Sequence, residues 1–338
     1  MEQINEVIKS LGNPAAYPQL IKEVKTIITA VSAVFLTGDY AYKFNKPLNL
    51  DFLDFSTLEK RKEQCEKEVK YNSLISPELY LGVVPITQEK NGQIVLDGKG
   101  TVVEYAVKMK QVDAEATMNN LLRKGKVSVD QIRELAKRIC QFHAIAPSDD
   151  EVKAFGSFEC VKKNWDEVLE KVEKYQDKIV SKDDFSFLQR KGAEFLQQNK
   201  NLISSRVQKD KIKHCHGDFH SENVFMFKDK VLIFDGIVFN MNFPCSDVIS
   251  EIAFMKMDLD FYGQKQLAEE FVQTYTQLSQ DGDIPKLLPF YLCYRAAIRG
   301  WVASFTADDV NLTSEKKAET LEKAKKYYAL AKNYALSF

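Results

Sequence analysis

The stretch His216-Gly217-Asp218-Phe219-His220-Ser221-Glu222-Asn223 leads into two four-residue apolar segments, Val224–Phe227 and Val231–Phe234, and closes on Asp235. The segments flank Lys228-Asp229-Lys230, a spacing that suits a tight hairpin. If Phe227 faces Val231, then Val224 faces Phe234, and one further step sets Asn223 opposite Asp235. An amide oxygen and a carboxylate then meet at the open end of an apolar hairpin. Hard oxygen ligands of this kind suit Mg2+ bound together with phosphate oxygens.

Asp218 lies five residues before Asn223, on the loop entering the hairpin, so it can reach the same cavity without competing for the metal. Phosphoryl transfer asks little else of a protein: an aspartate to accept the hydroxyl proton, metal ions to bridge the phosphates, and positioning. His216 is expected to brace the loop, and Gly217 to allow a turn that a side chain would hinder. A rival reading is a transition-metal site, because His214, His216 and His220 are three of only four histidines. That reading leaves Asp218, Asn223 and Asp235 without a role.

These residues resemble the signature motif and metal aspartate of the aminoglycoside phosphotransferase and choline kinase-like superfamily. Val34–Lys43, Leu53–Leu58 and Tyr294–Gly300 resemble recurring segments of a bacterial subgroup of uncharacterised kinases in it, so the likeness runs from about residue 31 to 305. The resemblance implies an α+β, two-lobed protein-kinase-like fold. Residues 1–109 would form the nucleotide-binding lobe, an antiparallel sheet with one helix. Residues 110–338 would form a mostly helical lobe carrying the catalytic hairpin. It also implies ATP as donor, Mg2+ as cofactor and an ATP lysine on the third strand, for which Lys43 fits. Alternation puts Ala41 on the Lys43 face, where a small residue can roof the adenine, and turns Tyr40, Tyr42 and Phe44 the other way. Glu68 is the expected anion for Lys43, with Glu66 as the alternative. The adenine hinge is placed at Tyr105–Met109, with Met109 at the pocket. Three departures stand out. The turn at 29–33 has no glycine to cover phosphates, Asp235 is followed by Gly236-Ile237, and no GxxxxGK[ST] occurs.

Outside the motif, short β-branched or aromatic runs at 21–29 and 33–44 predict strands broken at Gly38-Asp39. Ser56-Thr57-Leu58-Glu59 reads as a capping box with Ser56 as N-cap, opening a helix through Leu58, Cys65, Val69 and Leu74. The Lys60–Lys70 cluster on it reads as a solvated face. Strand character resumes at 79–86, 94–96 and 101–109. Further on, Ile132, Leu135, Ala136, Ile139 and His143 mark a helix ending before Pro147. Others are expected at 164–180, at 185–205 and from about 246 onward. The run 315–336 is expected to pack on its own lobe or on a partner.

With 47 Lys+Arg against 48 Asp+Glu, no net field favours nucleic acid or a membrane surface. No apolar run approaches bilayer length, and the first residues lack the pattern of a secretory leader. Six scattered cysteines with no CxxC pair suggest reduced thiols and a cytoplasmic setting. The acceptor is expected to be the hydroxyl of a small molecule. Asp247, Asp258 and Asp260 could recognise an amine on it, whereas Arg295 and Arg299, four apart on a helix, could bind a carboxylate or phosphate. The sequence does not choose. Other readings are a protein kinase, a nucleotidyl transferase, or a nucleotide-binding pseudokinase acting as an interaction module.

Overall fold

Tyr40, Tyr42 and Phe44 share one face of a strand, and that face is covered by a helix the sequence reading passed over. The computed structural model describes residues 2–50, 53–227 and 230–338. It divides into two compact units, Met1–Thr117 with Leu232–Met241, and Met118–Val231 with Asn242–Phe338. In the first, helix α1 (Glu2–Leu11) precedes β1 (Lys25–Ile28), β2 (Ser32–Leu36) and β3 (Tyr40–Asn45). Ile4, Val7 and Leu11, spaced for one helix face, pack into a core with Phe35, Tyr42 and Phe44. Burying each such aromatic stabilises the unit by roughly 1.5–3 kcal/mol. Ile4, Val7, Ile8 and Leu11 follow the i, i+3, i+4, i+7 spacing of one helix face, so α1 was legible in the sequence.

A short separate pair, β4 (Asn49–Leu50) and β5 (Leu53–Asp54), comes next. Helix α2 (Leu58–Ile75) follows, then β6 (Tyr80–Gln88), β7 (Ile94–Leu96) and β8 (Thr101–Lys110). The six longer strands form one sheet in the order β1-β2-β3-β8-β6-β7, with every pair antiparallel. Gly38, at φ 99°, makes the turn between β2 and β3.

Two expectations for α2 are corrected. Its N-cap is Thr57, which accepts the Lys60 N–H, because Ser56 donates both its hydroxyl and its backbone N–H to Asp54. Its charged stretch is also not wholly solvated. The buried positions are Arg61, Gln64, Cys65, Glu68, Asn72 and Ile75, while Leu74 faces outward. Arg61 donates from Nε to the fully buried Glu104 carboxylate at 2.7 Å. Burial pushes the Glu104 carboxyl up, and Arg61 opposes that rise.

The second unit is mostly helical: α3 (Met118–Arg123), α4 (Val129–Ile145), α5 (Asp150–Ala154), α6 (Phe158–Glu173) and α7 (Lys182–Gln208). The five residues that marked α4 are all buried, and Ser128 caps it in a reciprocal box with Gln131. Helix α6 spans 158–173 rather than 164–180, because Ser157 caps it six residues early. Gly192 on α7 admits Trp165 of α6, which a Cβ would meet at 2.4 Å.

Strand β9 (Ile212–His214) then pairs with β12 (Cys245–Asp247), and β10 (Val224–Phe227) with β11 (Lys230–Ile233). The turn expected at Lys228 and Asp229 lies outside the described residues. The chain ends in α8 (Val248–Phe261), α9 (Lys265–Ser279), α10 (Ile284–Ala307) and α11 (Ser314–Ala335). Helix α11 packs on its own unit: Tyr328 lies where a Cβ on Gly300 of α10 would come within 2.7 Å, and Tyr327 stacks on Phe261 at 4.2 Å.

Candidate functional site

In the first unit the β3 lysine finds two carboxylates. Lys43 Nζ donates to Glu68 Oε1 at 3.0 Å and to Asp235 Oδ1 at 2.6 Å. Burial would lower the lysine pKa, but Asp235 and then Glu68 raise it well above the ordinary value, so the ammonium is charged at any physiological pH. Glu68 is pushed up by burial, with Lys43 pulling the other way. The Asp235 side chain is half exposed while that of Glu68 is buried, so Asp235 alone of the two presents a carboxylate to an incoming ligand. Ala41 pairs directly with Met109 in the β3–β8 register, and Lys43 pairs with Val107. The two residues expected at adenine are therefore cross-strand neighbours.

Asp235 sits at φ 63°, a left-handed conformation that costs a non-glycine residue about 1–2 kcal/mol. Three side chains hold the segment there. Ile233 N–H donates to Ser76 Oγ at 3.1 Å, and Asp235 N–H donates to Tyr80 Oη at 2.9 Å. Gly236 N–H donates to Asn72 Oδ1 at 2.7 Å, and Asn72 Nδ2 donates back to the Gly236 carbonyl at 3.3 Å. The sequence reading missed these residues. Their even spacing (72, 76, 80) is a faint signal, and it runs beyond the end of α2. In the β1–β2 turn, Thr29 Oγ1 accepts the N–H groups of Val31 and Ser32, so the glycine-free turn is bonded within itself.

In the second unit the motif loop is buried from Ile212 to His220 except at Asp218, whose side chain is about 36% exposed. Asn223 Nδ2 donates to the Asp218 carbonyl at 2.9 Å and to Asp218 Oδ2 at 3.1 Å. The Asn223 Oδ1 is left with no hydrogen bond to the described residues, a hard oxygen of the kind a divalent cation takes. His220 Nε2 lies 3.2 Å from Asp218 Oδ2, and its Nδ1 accepts the Glu222 N–H. Burial would push the Asp218 carboxyl up, but His220, Arg299 and His216 together hold it well below the usual carboxylate range.

His216 braces the loop by accepting the Asp218 N–H on Nδ1. Gly217 has φ 85°, and a Cβ there would lie 3.0 Å from Pro244. The loop has a further anchor that sequence reasoning missed. Glu251, almost fully buried, accepts the Gly217 N–H on Oε1 at 2.8 Å and the His216 N–H on Oε2 at 3.1 Å. His143 Nε2 lies 2.8 Å from the same Oε2, and His143 Nδ1 lies 2.7 Å from Tyr275 Oη. His214, His216 and His220 do not converge as ligands. Among the described residues the cluster with metal-ligand geometry is His143, Cys215 and Glu251, and there Glu251 already serves three hydrogen bonds.

The remaining residues nominated by sequence are placed as follows. Asp247 is buried, with both oxygens on Arg206 at 2.7 and 2.9 Å, and Arg206 also binds Asp281 and Asp283. Asp258 accepts the Ser221 N–H at 2.8 Å, and Asp260 accepts from Lys256 and Tyr334. Arg295 donates to the Ser250 carbonyl at 3.1 Å. Arg299 is half-buried between the rings of Phe254 and Tyr327. Glu66 pairs with Lys62 on the exposed face of α2, away from Lys43.

No protein-family model matches the chain. Uncharacterized proteins of Mycobacterium tuberculosis (strain H37Rv) and Mycobacterium bovis are 27% identical to it over 274 residues, 81% of this chain. The chain spans about half the length of these relatives, 53%. Among solved structures, an aminoglycoside 2'-phosphotransferase-IIIa in complex with GDP has a TM-score of 0.54 at 13% identity, covering 91% of this chain and 93% of that one. A choline/ethanolamine kinase family protein from Mesorhizobium loti has a TM-score of 0.53 at 10% identity over the whole of both chains. A microcompartment-associated aminopropanol kinase has 0.54 at 14% identity, covering 100% of this chain and 98% of that one. At such identities the likeness is one of fold. The chain has the protein-kinase-like α+β fold that the motif implied, and among the described residues no helix is long and apolar enough to cross a membrane.

Proposed function

We propose that this chain is an ATP- and Mg2+-dependent phosphotransferase that moves the γ-phosphoryl group onto a hydroxyl of a small molecule. The observation that carries the reading is the Asp218 loop. One accessible carboxylate, kept ionised, is held by an asparagine amide whose own oxygen accepts no hydrogen bond from the described residues. Asp218 orients the acceptor hydroxyl and takes its proton as the oxygen attacks the γ-phosphorus and the bond to the β-phosphate oxygen breaks, releasing ADP. Lys43, steadied by Glu68, supplies the fixed cation for the phosphates, and Ala41 and Met109 line the adenine side. Asn223, at the entry to β10, and Asp235, just after β11, each offer a hard oxygen to Mg2+, which when bound offsets phosphate charge. The kinase names of the similar folds, for aminoglycosides, choline or ethanolamine, and aminopropanol, support a small-molecule acceptor.

Calorimetric titration with ATP, with and without Mg2+, tests the donor half. The wild type should bind ATP more tightly with Mg2+, and Asp235→Ala should lose most of that gain. Equal Mg2+ enhancement in both proteins would remove Asp235 from the metal.

A further inference from the structure

The five charged residues that sequence offered for acceptor recognition do not remain equal in the structure. Asp247 has both oxygens on Arg206, Asp260 is taken by Lys256 and Tyr334, and Asp258 is buried on the Ser221 N–H. Asp247 and Asp260 are thus taken up by the protein's own cations and hydroxyl, while Asp258 holds one backbone N–H and acts on the Arg299 charge. Arg295 is buried and bonded to the Ser250 carbonyl.

Arg299 differs from the others. Among the described residues it forms no ion pair within 4 Å, although its guanidinium is half-buried and the Asp218 and Asp258 carboxylates act on its charge. It is held instead by aromatic faces, 6.0 Å from the Phe254 centroid and 5.7 Å from that of Tyr327. The guanidinium also hydrogen-bonds the Tyr327 hydroxyl, which leaves its remaining donors for a planar or tetrahedral anion. Phe254 also carries the His220 ring at 5.3 Å, and His220 is the partner of Asp218, so the guanidinium and the base share one aromatic support. The two charges sense one another: Arg299 helps to hold the Asp218 carboxyl down, after the effects of burial and His220.

We propose that the acceptor carries an anionic group, a carboxylate or a phosphate, which Arg299 binds beside the hydroxyl presented to Asp218. This rests on the phosphotransferase reading and deepens it by giving the acceptor a charge. It sets the chain apart from a kinase built for a cationic amine, because an ammonium in the same place would be repelled by Arg299, whose charge the nearby Asp218 and Asp258 carboxylates already partly offset.

The test uses the full chain, loaded with a non-hydrolysable ATP analogue and Mg2+, and calorimetric titration with matched probes. Glucose 6-phosphate is compared with glucosamine, and glycerate with 3-aminopropane-1,2-diol. At least one anionic probe should bind about tenfold or more tightly than its amine counterpart. Arg299→Met, which keeps an apolar stem between the rings, should abolish that preference, and Arg299→Lys should restore part of it. If the Met variant does not melt cooperatively, the Lys variant decides alone through a partial loss confined to anionic probes. Tighter binding of the amines, no binding of either anion, or an unchanged preference in the variants would overturn the proposal. Failure of the nucleotide to bind would instead strike the phosphotransferase reading, and the same titrations on nucleotide-free protein would still decide the charge preference.

Discussion

Replacing Glu251 with glutamine should destabilise the second unit although the shape of the side chain is kept. In the wild type Oε1 accepts the Gly217 N–H at 2.8 Å, and Oε2 accepts the His216 N–H at 3.1 Å while lying 2.8 Å from His143 Nε2. A glutamine brings one oxygen and one NH2, so whichever way it is turned a buried N–H faces another donor. One charge-assisted bond is lost, the rest weaken, and small shifts offset part of this, for a net cost of about 2–4 kcal/mol. The acid limb of stability gives a second readout. Burial would raise the Glu251 carboxyl, but the His143 bond and charge, His216 and the Gly217 N–H hold it below its ordinary value of 4.5. For a carboxyl depressed in the folded state, the unfolded chain binds the proton first. The stabilisation is complete above the ordinary value and fades as pH falls through the lower folded one. Urea unfolding from pH 7 down to 3 should therefore show the gap between wild type and Glu251→Gln narrowing below about pH 4.5. A gap under about 0.5 kcal/mol at pH 7, or one that does not change with pH, would refute the anchoring role.

Two further substitutions probe the segments that carry the motif. Gly217→Ala places a Cβ at φ 85° and 3.0 Å from Pro244, so it should cost roughly 1–2 kcal/mol in urea unfolding and lower turnover as well; an unaffected protein would mean the loop does not need its glycine. Asn72→Ala removes both bonds to Gly236, at 2.7 and 3.3 Å, and should raise the Mg2+ concentration needed for half-maximal nucleotide binding several-fold by loosening Asp235; an unchanged requirement would show that the ladder from α2 does not position it.

Much of the fold was written in periodic patterns. The alternation of Ala41 and Lys43 against Tyr40, Tyr42 and Phe44 placed β3 and both its faces, and the apolar run from Ile132 to His143 placed α4. What stayed hidden is what has no period. Helix α8 is buried on every side from Val248 to Leu259, so Ser250, Glu251, Lys256 and Asp258 lie inside it unmarked by any polar face. Glu251 serves N–H groups 34 and 35 residues away, and a contact of that range between a side chain and a backbone leaves no trace in spacing. The polar inner face of α2 misled for a related reason. Arg61, Glu68 and Asn72 are buried because each has a partner elsewhere in the unit, whereas their local pattern of alternating charge is that of a solvated surface. The strand β9 was missed because it is three residues long and exists through its pairing with β12.

The phosphotransferase claim is tested most directly by measuring ATP consumption and phosphorylated product over a panel of hydroxyl compounds, sugars, amino alcohols, nucleosides, aminoglycosides and hydroxy acids, with wild type and Asp218→Asn side by side. The account predicts Mg2+-dependent transfer to at least one hydroxyl by the wild type. In Asp218→Asn, transfer should fall by about a hundredfold or more while ATP binding persists, since the proton acceptor is gone and the loop keeps its shape. Transfer by Asp218→Asn at the wild-type rate, or tight ATP binding by the wild type with no transfer to any acceptor, would contradict it.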